Sequence, residues 1–428
     1  MRTAIFKTIS NPQKFRTQLL SWSQQFREVV FLESNNYPQQ YGTYDLVLAV
    51  DAFTSILTDY HNAFEDLKTY QQTTQDWLFG YLAYDLKNDL EELNSNNFDG
   101  LGFPDLFFFQ PKKLFLLKGN QFEVQYLSMC DDELDEDFEA VLHFQNPSVV
   151  TPSSIQVQQR ISKEGYLKKV NEVLFQINQG NLYEANFCME FYAENANIDP
   201  MGIYQKLNAI SEPPFAVFFK NNKNFLLSAS PERYLRKEGT KVISQPIKGT
   251  SKRFSENDLD DKSKEALSND SKEKAENIMI VDLVRNDLSH TAIKGSVHVE
   301  ELCKIYSFKQ VHQMISTVVS EVLHTISPVE IIKTTFPMGS MTGAPKIAAM
   351  QIIEQLEETK RGLYSGAVGY FTPSGDFDFN VVIRSILYNQ ENNYVSFSVG
   401  SAITTESVAE NEYEECLLKA KAMRTVLS

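Results

Sequence analysis

Two pairs of glutamates lie three residues apart in segments with helical patterning, Glu273 with Glu276 and Glu412 with Glu415. That spacing puts both carboxylates of a pair on one helix face. If both faces look into one pocket, the four groups supply hard oxygen ligands for Mg²⁺, which takes one or two carboxylates directly and keeps several waters. Two ordinary solvated faces fit the same spacing. Lys248, in Gln245-Pro246-Ile247-Lys248-Gly249-Thr250, stands at the end of an apolar strand, before a glycine that lets backbone N–H groups approach a ligand. A lysine attacks only when neutral, so its pKa of about 10.4 must be lowered by desolvation or nearby cations. An exposed turn lysine is the bland alternative. Ser230-Pro231-Glu232-Arg233 offers a carboxylic acid at a strand end, and other carboxylates close by would keep its proton near neutral pH, as a general acid requires. A surface pair of Glu232 with Arg233 fits equally.

The elements that must position these residues are legible in part. Ser162 caps a predicted helix with Tyr166, Val170, Val173, Leu174 and Ile177 at helical spacing and Gly180 as its stop. Strands are expected at Tyr183 to Phe191, at Phe215 to Phe219 and Phe225 to Leu227 around a polar turn, at Val242 to Ile247, at Gly366 to Thr372 and at Asn380 to Leu387. Helices are expected at about 271–288, 328–335, 345–357 and 410–426. The first 145 residues mix apolar runs such as Asp45 to Val50 with an amphipathic piece from Ile56 to Leu67. An acidic run from Asp131 to Glu139, followed by Asn146, Pro147 and Thr151 to Ser154, reads as a solvated connection. The main boundary is placed near residue 150, giving regions 1–150 and 151–428.

The chain has 428 residues, is 42% hydrophobic and carries a formal charge of −16. That charge excludes sequence-independent nucleic-acid binding, which needs clustered Lys and Arg. A small anionic substrate remains possible where a metal or a few placed cations invert the local field. No run has signal-peptide character or the roughly 20 apolar residues of a membrane span, so a cytoplasmic protein is expected. Four scattered cysteines, Cys130, Cys188, Cys303 and Cys416, read as reduced thiols rather than disulfides or a zinc site.

Taken in order, SPER (230–233), PIKGT (246–250), ENIMIVDLVRNDL (276–288), GSMTGAPK (339–346), YSGAVGYF (364–371), VVIRS (381–385) and EYEECLLKA (412–420) resemble the chorismate-utilising enzymes, which include anthranilate, aminodeoxychorismate, isochorismate and salicylate synthases. FLES (31–34) and GYLAYDL (80–86) extend the resemblance over nearly the whole chain. It implies an α+β (α/β) fold of the anthranilate-synthase type, with two large, mainly antiparallel sheets packed face to face and helices outside. It also implies Mg²⁺ held directly by Glu276 and Glu415 and through water by Glu273 and Glu412. Tyr364 and Arg384 match residues that hold the enolpyruvyl carboxylate of chorismate, an arginine fork suiting that planar group. Gly249, Thr250, His312, Ser340 and Ala402 match further substrate contacts, with Ala402 replacing a common glycine.

Lys248 and, more weakly, Ser340 resemble the aminodeoxychorismate synthases; anthranilate and isochorismate members carry alanine in place of this lysine. The implied chemistry is attack by Lys248, protonation of the leaving hydroxyl by Glu232, and addition of ammonia. No cysteine has the setting of a glutaminase nucleophile, so a separate glutamine amidotransferase subunit is implied as the ammonia source. An anthranilate synthase large subunit, or a non-catalytic chorismate- or metal-binding homologue, are the rival readings. Glu184, in GNLYEANFC, stands where aminating members usually have glutamine and water-adding members a lysine base; orienting ammonia and simply accepting hydrogen bonds are both open for it. Glu33 and Ser34 resemble an effector-binding element, with a structural turn as the alternative.

Overall fold

The protein is described here from a computed structural model covering residues 1–144 and 155–428. Among these residues, twenty strands hydrogen-bond into one continuous network, and every ladder between its strands is antiparallel. The two expected sheets are thus joined. Alternate residues of several strands bury into different cores, because successive side chains leave a strand on opposite faces. In Leu46–Thr58, Leu46, Leu48 and Val50 enter one core, while Val47 and Ala49 enter the other. In Phe215–Asn221, Phe218 and Phe219 divide in the same way. Runs such as LVLAV are apolar throughout because both faces are covered.

The boundary foreseen near residue 150, with Asn146, Pro147 and Thr151 to Ser154, lies outside the described residues. The segments on either side share their sheets. Strand Glu28–Glu33 pairs with Phe215–Asn221, and Leu78–Leu82 with Ala367–Phe371.

Helices cover the first core. Lys163–Asn178 begins at Ser162, whose hydroxyl accepts from the Gly165 N–H at 3.1 Å, and buries Tyr166, Val170, Val173 and Ile177. Each such side chain contributes about 1.5–3 kcal/mol when fully buried. Helix Ala409–Leu427 buries Tyr413, Cys416, Ala420, Met423 and Val426 against the same core.

Four local expectations are corrected. The segment Ile56 to Leu67 is not one amphipathic helix: a strand runs to Thr58 and a helix begins at Ala63. The acidic run is no solvated connection, since Leu134–Leu142 is a helix that buries Leu134, Phe138 and Val141, and Glu133 just before it and Asp137 within it pair with the buried Lys113. Proline 246, lacking an N–H, divides the expected strand Val242 to Ile247 into Lys241–Gln245 and Ile247–Lys252. Lys248 therefore sits near the start of a strand. The expected strand Asn380 to Leu387 ends at Val381 and resumes at Ser385, with Arg384 between at a φ of 53°.

Candidate active site

Strand Ile247–Lys252, helix Ser271–Ser289 and helix Ala409–Leu427 carry the residues singled out for chemistry. Strand and first helix are clamped together by Asn277, almost wholly buried, whose amide donates to the Lys248 carbonyl at 3.3 Å and the Met314 carbonyl at 3.2 Å. Gly249 has a φ of 94°, and a Cβ there would lie 3.2 Å from a carboxylate oxygen of Glu273. The glycine is required by conformation and by contact alike.

The Lys248 ammonium points inward and donates to Glu184 Oε1 at 2.7 Å; the lysine side chain is 10% exposed and that of Glu184 0%. Burial pulls the lysine pKa down, but Glu184, Glu276 and Glu232 outweigh it and leave the group above the ordinary lysine value. Several carboxylates around one amine thus favour its charged form wherever no further cation offsets them. Glu232, 4% exposed, is pushed up to about 7, chiefly by burial, with the Ser340 hydroxyl and Lys248 pulling the other way. A carboxyl with that value is about half protonated at neutral pH and can donate that proton.

The four helix glutamates face the same region. Burial raises Glu276 to about 7 against the pull of Lys248. Glu273 is raised by burial and by Glu415. Glu415 is also opposed by burial, yet lies below its ordinary value because Lys419, 2.6 Å away, prevails. The Lys272 ammonium stands 3.7 Å from both Glu276 and Glu412, bridging the two helices. Glu276 Oε1 is buried without a hydrogen-bond partner. Among the described residues no three acidic, histidine or cysteine side chains converge as a closed cage for a metal. The hard oxygen donors and the orphaned Glu276 oxygen nevertheless fit Mg²⁺, whose coordination is completed largely by water.

Arg384, opened toward the site by its left-handed backbone, donates to the Lys419 carbonyl at 3.2 Å and forms no ion pair among the described residues. Burial lowers its pKa, partly offset by Tyr364 and Glu415. A half-buried guanidinium without a counter-ion is suited to an incoming carboxylate. Tyr364 is buried, its hydroxyl 3.7 Å from Cys188 Sγ. Ala402 lies in strand Tyr394–Ile403 opposite Asn186, and Thr250 is exposed beside Gln313. His312 is engaged on both nitrogens, by Ser307 at 2.8 Å and Asp260 at 3.1 Å. It ties helix Asn257–Asn269 to the strands, so its ring is a tether in this structure. Glu33 is held by Arg16 at 3.2 Å and Asn208 at 3.1 Å, and Ser34 donates to the Asp45 carbonyl. Glu33 ends strand Glu28–Glu33 and Ser34 follows it; both line a cavity of about 70 Å³ next to the Arg233–Asp378 pair.

Lys272 and Lys419 escaped the reading of the sequence. Each is four residues from a singled-out glutamate, Lys272 before Glu276 and Lys419 after Glu415. Helical spacing was therefore a usable signal.

Residues 27–425 match the family of chorismate binding enzymes. The chain belongs to that family. It is 40% identical over 264 residues to the chloroplastic aminodeoxychorismate synthase of Arabidopsis thaliana, covering 61% of this chain and 28% of that relative. It is 32% identical over 352 residues to anthranilate synthase component 1 of Thermus thermophilus, covering 80% of this chain and 76% of the relative. The fold matches that of anthranilate synthase component I from Streptococcus pneumoniae with a TM-score of 0.80 at 24% identity, over 91% of this chain and 94% of that one.

Proposed function

We propose that this chorismate-binding enzyme is the aminating subunit of an aminodeoxychorismate synthase, converting chorismate and ammonia to 4-amino-4-deoxychorismate. The observation that carries the reading is the inward-facing Lys248 ammonium, 2.7 Å from Glu184 and within electrostatic reach of Glu232 and Glu276. An exposed turn lysine would face solvent instead. The 40% identity to the Arabidopsis synthase points the same way.

In this reaction Arg384 and Tyr364 orient the enolpyruvyl carboxylate. Lys248 Nζ bonds to ring carbon C2 while the C4–O bond breaks, and protonated Glu232 gives its proton to the departing oxygen, which leaves as water. Ammonia then bonds at C4 and the C2–Nζ bond breaks, regenerating the lysine. Glu276 and Glu415, with Glu273 and Glu412 through water, would hold Mg²⁺, which when bound supplies positive charge for the ring carboxylate. The ammonia source would be a glutaminase. Cys130, Cys188 and Cys416 are buried and Cys303 partly so, and burial pushes the Cys188 thiol up to about 12 and raises the Cys303 thiol as well, so none of these four resembles an activated nucleophile. No helix among the described residues is long and apolar enough to cross a membrane; a cytoplasmic location accords with this and is part of the proposal.

The test is to incubate the pure protein with chorismate, Mg²⁺ and ammonium and to identify the product. Retention of the enolpyruvyl group in an aminated product is expected. Fluorescent anthranilate with released pyruvate would overturn the reading in favour of the anthranilate synthase alternative, and Mg²⁺-dependent chorismate binding without turnover would favour a regulatory homologue.

A further inference from the structure

Lys248 presents a chemical problem: it must be neutral to attack, yet its ammonium is ion-paired at 2.7 Å with Glu184, whose side chain is fully buried. Glu273 and Glu276 face it from helix Ser271–Ser289, Glu415 from the C-terminal helix, and Glu232 from the turn before strand Arg233–Glu238. The nearby cations are Lys272 and Lys419, each already engaged by glutamates. Solvent is a poor destination for the proton, because the lysine side chain is 10% exposed and its partner 0%. One acceptor is in contact, Glu184, whose Oε1 already receives a Lys248 N–H at 2.7 Å.

Its other oxygen, Oε2, is buried without a hydrogen-bond partner, a condition that costs most when the group is ionised. The position is also rigid. Glu184 opens strand Glu184–Ala193 and pairs with Ala344, and a Cβ on Gly343 would lie 2.1 Å from the Glu184 carbonyl oxygen.

We propose that Glu184 is the base that makes Lys248 a nucleophile, taking its proton across the existing hydrogen bond as substrate docks and returning it when the amine is expelled. The inference rests on the aminating reading above. In the first step Lys–NH₃⁺ and Glu–COO⁻ become Lys–NH₂ and Glu–COOH, with no proton exchanged with solvent. A docked ring that keeps water out favours this uncharged pair, since desolvation disfavours both ions. After ammonia bonds at C4, the C2–Nζ electron pair returns to nitrogen as neutral amine, and Glu184 protonates it. The ion pair is restored.

The test measures covalent adduct formation without ammonia. Wild-type protein, Glu184→Gln and Glu184→Asp are mixed with chorismate and saturating Mg²⁺, and intact-protein mass spectrometry times the appearance of chorismate minus water on Lys248. Glu232 and Glu276 both titrate near about 7 and are common to all three proteins, so below that value the lysine proton is read from the difference between wild type and the Glu184 variants at saturating Mg²⁺. The wild-type rate is expected to be flat there. Glu184→Gln is expected to be slower by about 10²-fold or more and to rise about tenfold per pH unit, because its lysine must lose the proton to water. Glu184→Asp should recover part of the rate and the flat profile; if the glutamine variant fails to fold, this variant's profile decides. A Glu184→Gln protein with the wild-type rate and a flat profile would overturn the proposal. So would the absence of any wild-type adduct. In that case the product assay with ammonium, run on the same preparation, shows whether the aminating reading survives without a covalent lysine or falls with it.

Discussion

At Lys248 the outcome is set by competition between burial and charge: burial favours neutral amine, and three carboxylates, Glu184, Glu276 and Glu232, override it. Replacing one partner of a buried pair leaves the other uncompensated, at about 3–5 kcal/mol. Lys248→Met is therefore expected to lose at least about 10³-fold in product formation and also to melt at a lower temperature. The double variant Lys248→Met with Glu184→Gln should recover most of the melting temperature and none of the activity; recovered activity would show the lysine to be dispensable. Lys272 poses a second case, since its ammonium stands 3.7 Å from both Glu276 and Glu412 and opposes any added cation. It is 37% exposed, so screening reduces its effect. Lys272→Met is expected to bind Mg²⁺ several-fold more tightly by calorimetry, and unchanged affinity would remove Lys272 as a competitor. These residues show the limits of reading sequence. The identity of Lys248 as a candidate was visible in PIKGT. Its protonation was not, because Glu184 is 64 positions away and no spacing rule joins them.

The elements divide in a similar way. Helix Lys163–Asn178 was legible because capping and apolar periodicity are local properties, and Ser162 does cap it. The breaks that shape the site were not. Proline 246 ends one strand and sets Lys248 near the start of the next, and the left-handed Arg384 interrupts what reads as a continuous strand, since only tertiary contacts sustain that conformation in arginine. The strand carrying Lys248 owes its placement to Asn277 and to Gly249. Gly249→Ala forces a side chain onto a φ of 94° and within 3.2 Å of Glu273 and Met314. The strain is on the order of 1–3 kcal/mol. The variant is expected to melt several degrees lower and to lose more than about tenfold in turnover, because Lys248 shifts with its neighbour. Turnover retained at the wild-type level would mean that the site tolerates a different strand position.

Across the whole molecule, a net charge of −16 coexists with a site where Lys248, Lys272, Lys419 and Arg384 gather, and the buried carboxyls between them make folding depend on pH. Glu232 rises from an ordinary 4.5 to about 7 on folding, so between those values the folded chain holds a proton that the unfolded chain has released. Stability from this group is complete below about pH 4.5 and is lost as pH climbs through about 7, by on the order of 3 kcal/mol. Other carboxyls act in the opposite sense at lower pH: Asp260, held down to about 2 chiefly by Arg253, keeps its contribution until strong acid. The wild-type curve mixes these terms, whereas the difference between wild type and Glu232→Gln isolates one of them. The glutamine cannot ionise, so the variant should gain on wild type by a few degrees in melting temperature between about pH 5 and pH 8. Activity should be lost in the same protein, since glutamine has no acidic proton to give the leaving oxygen. If the two melting curves instead run parallel over that range, Glu232 ionises alike in the folded and unfolded chain, and its role as the proton donor at neutral pH loses its physical basis.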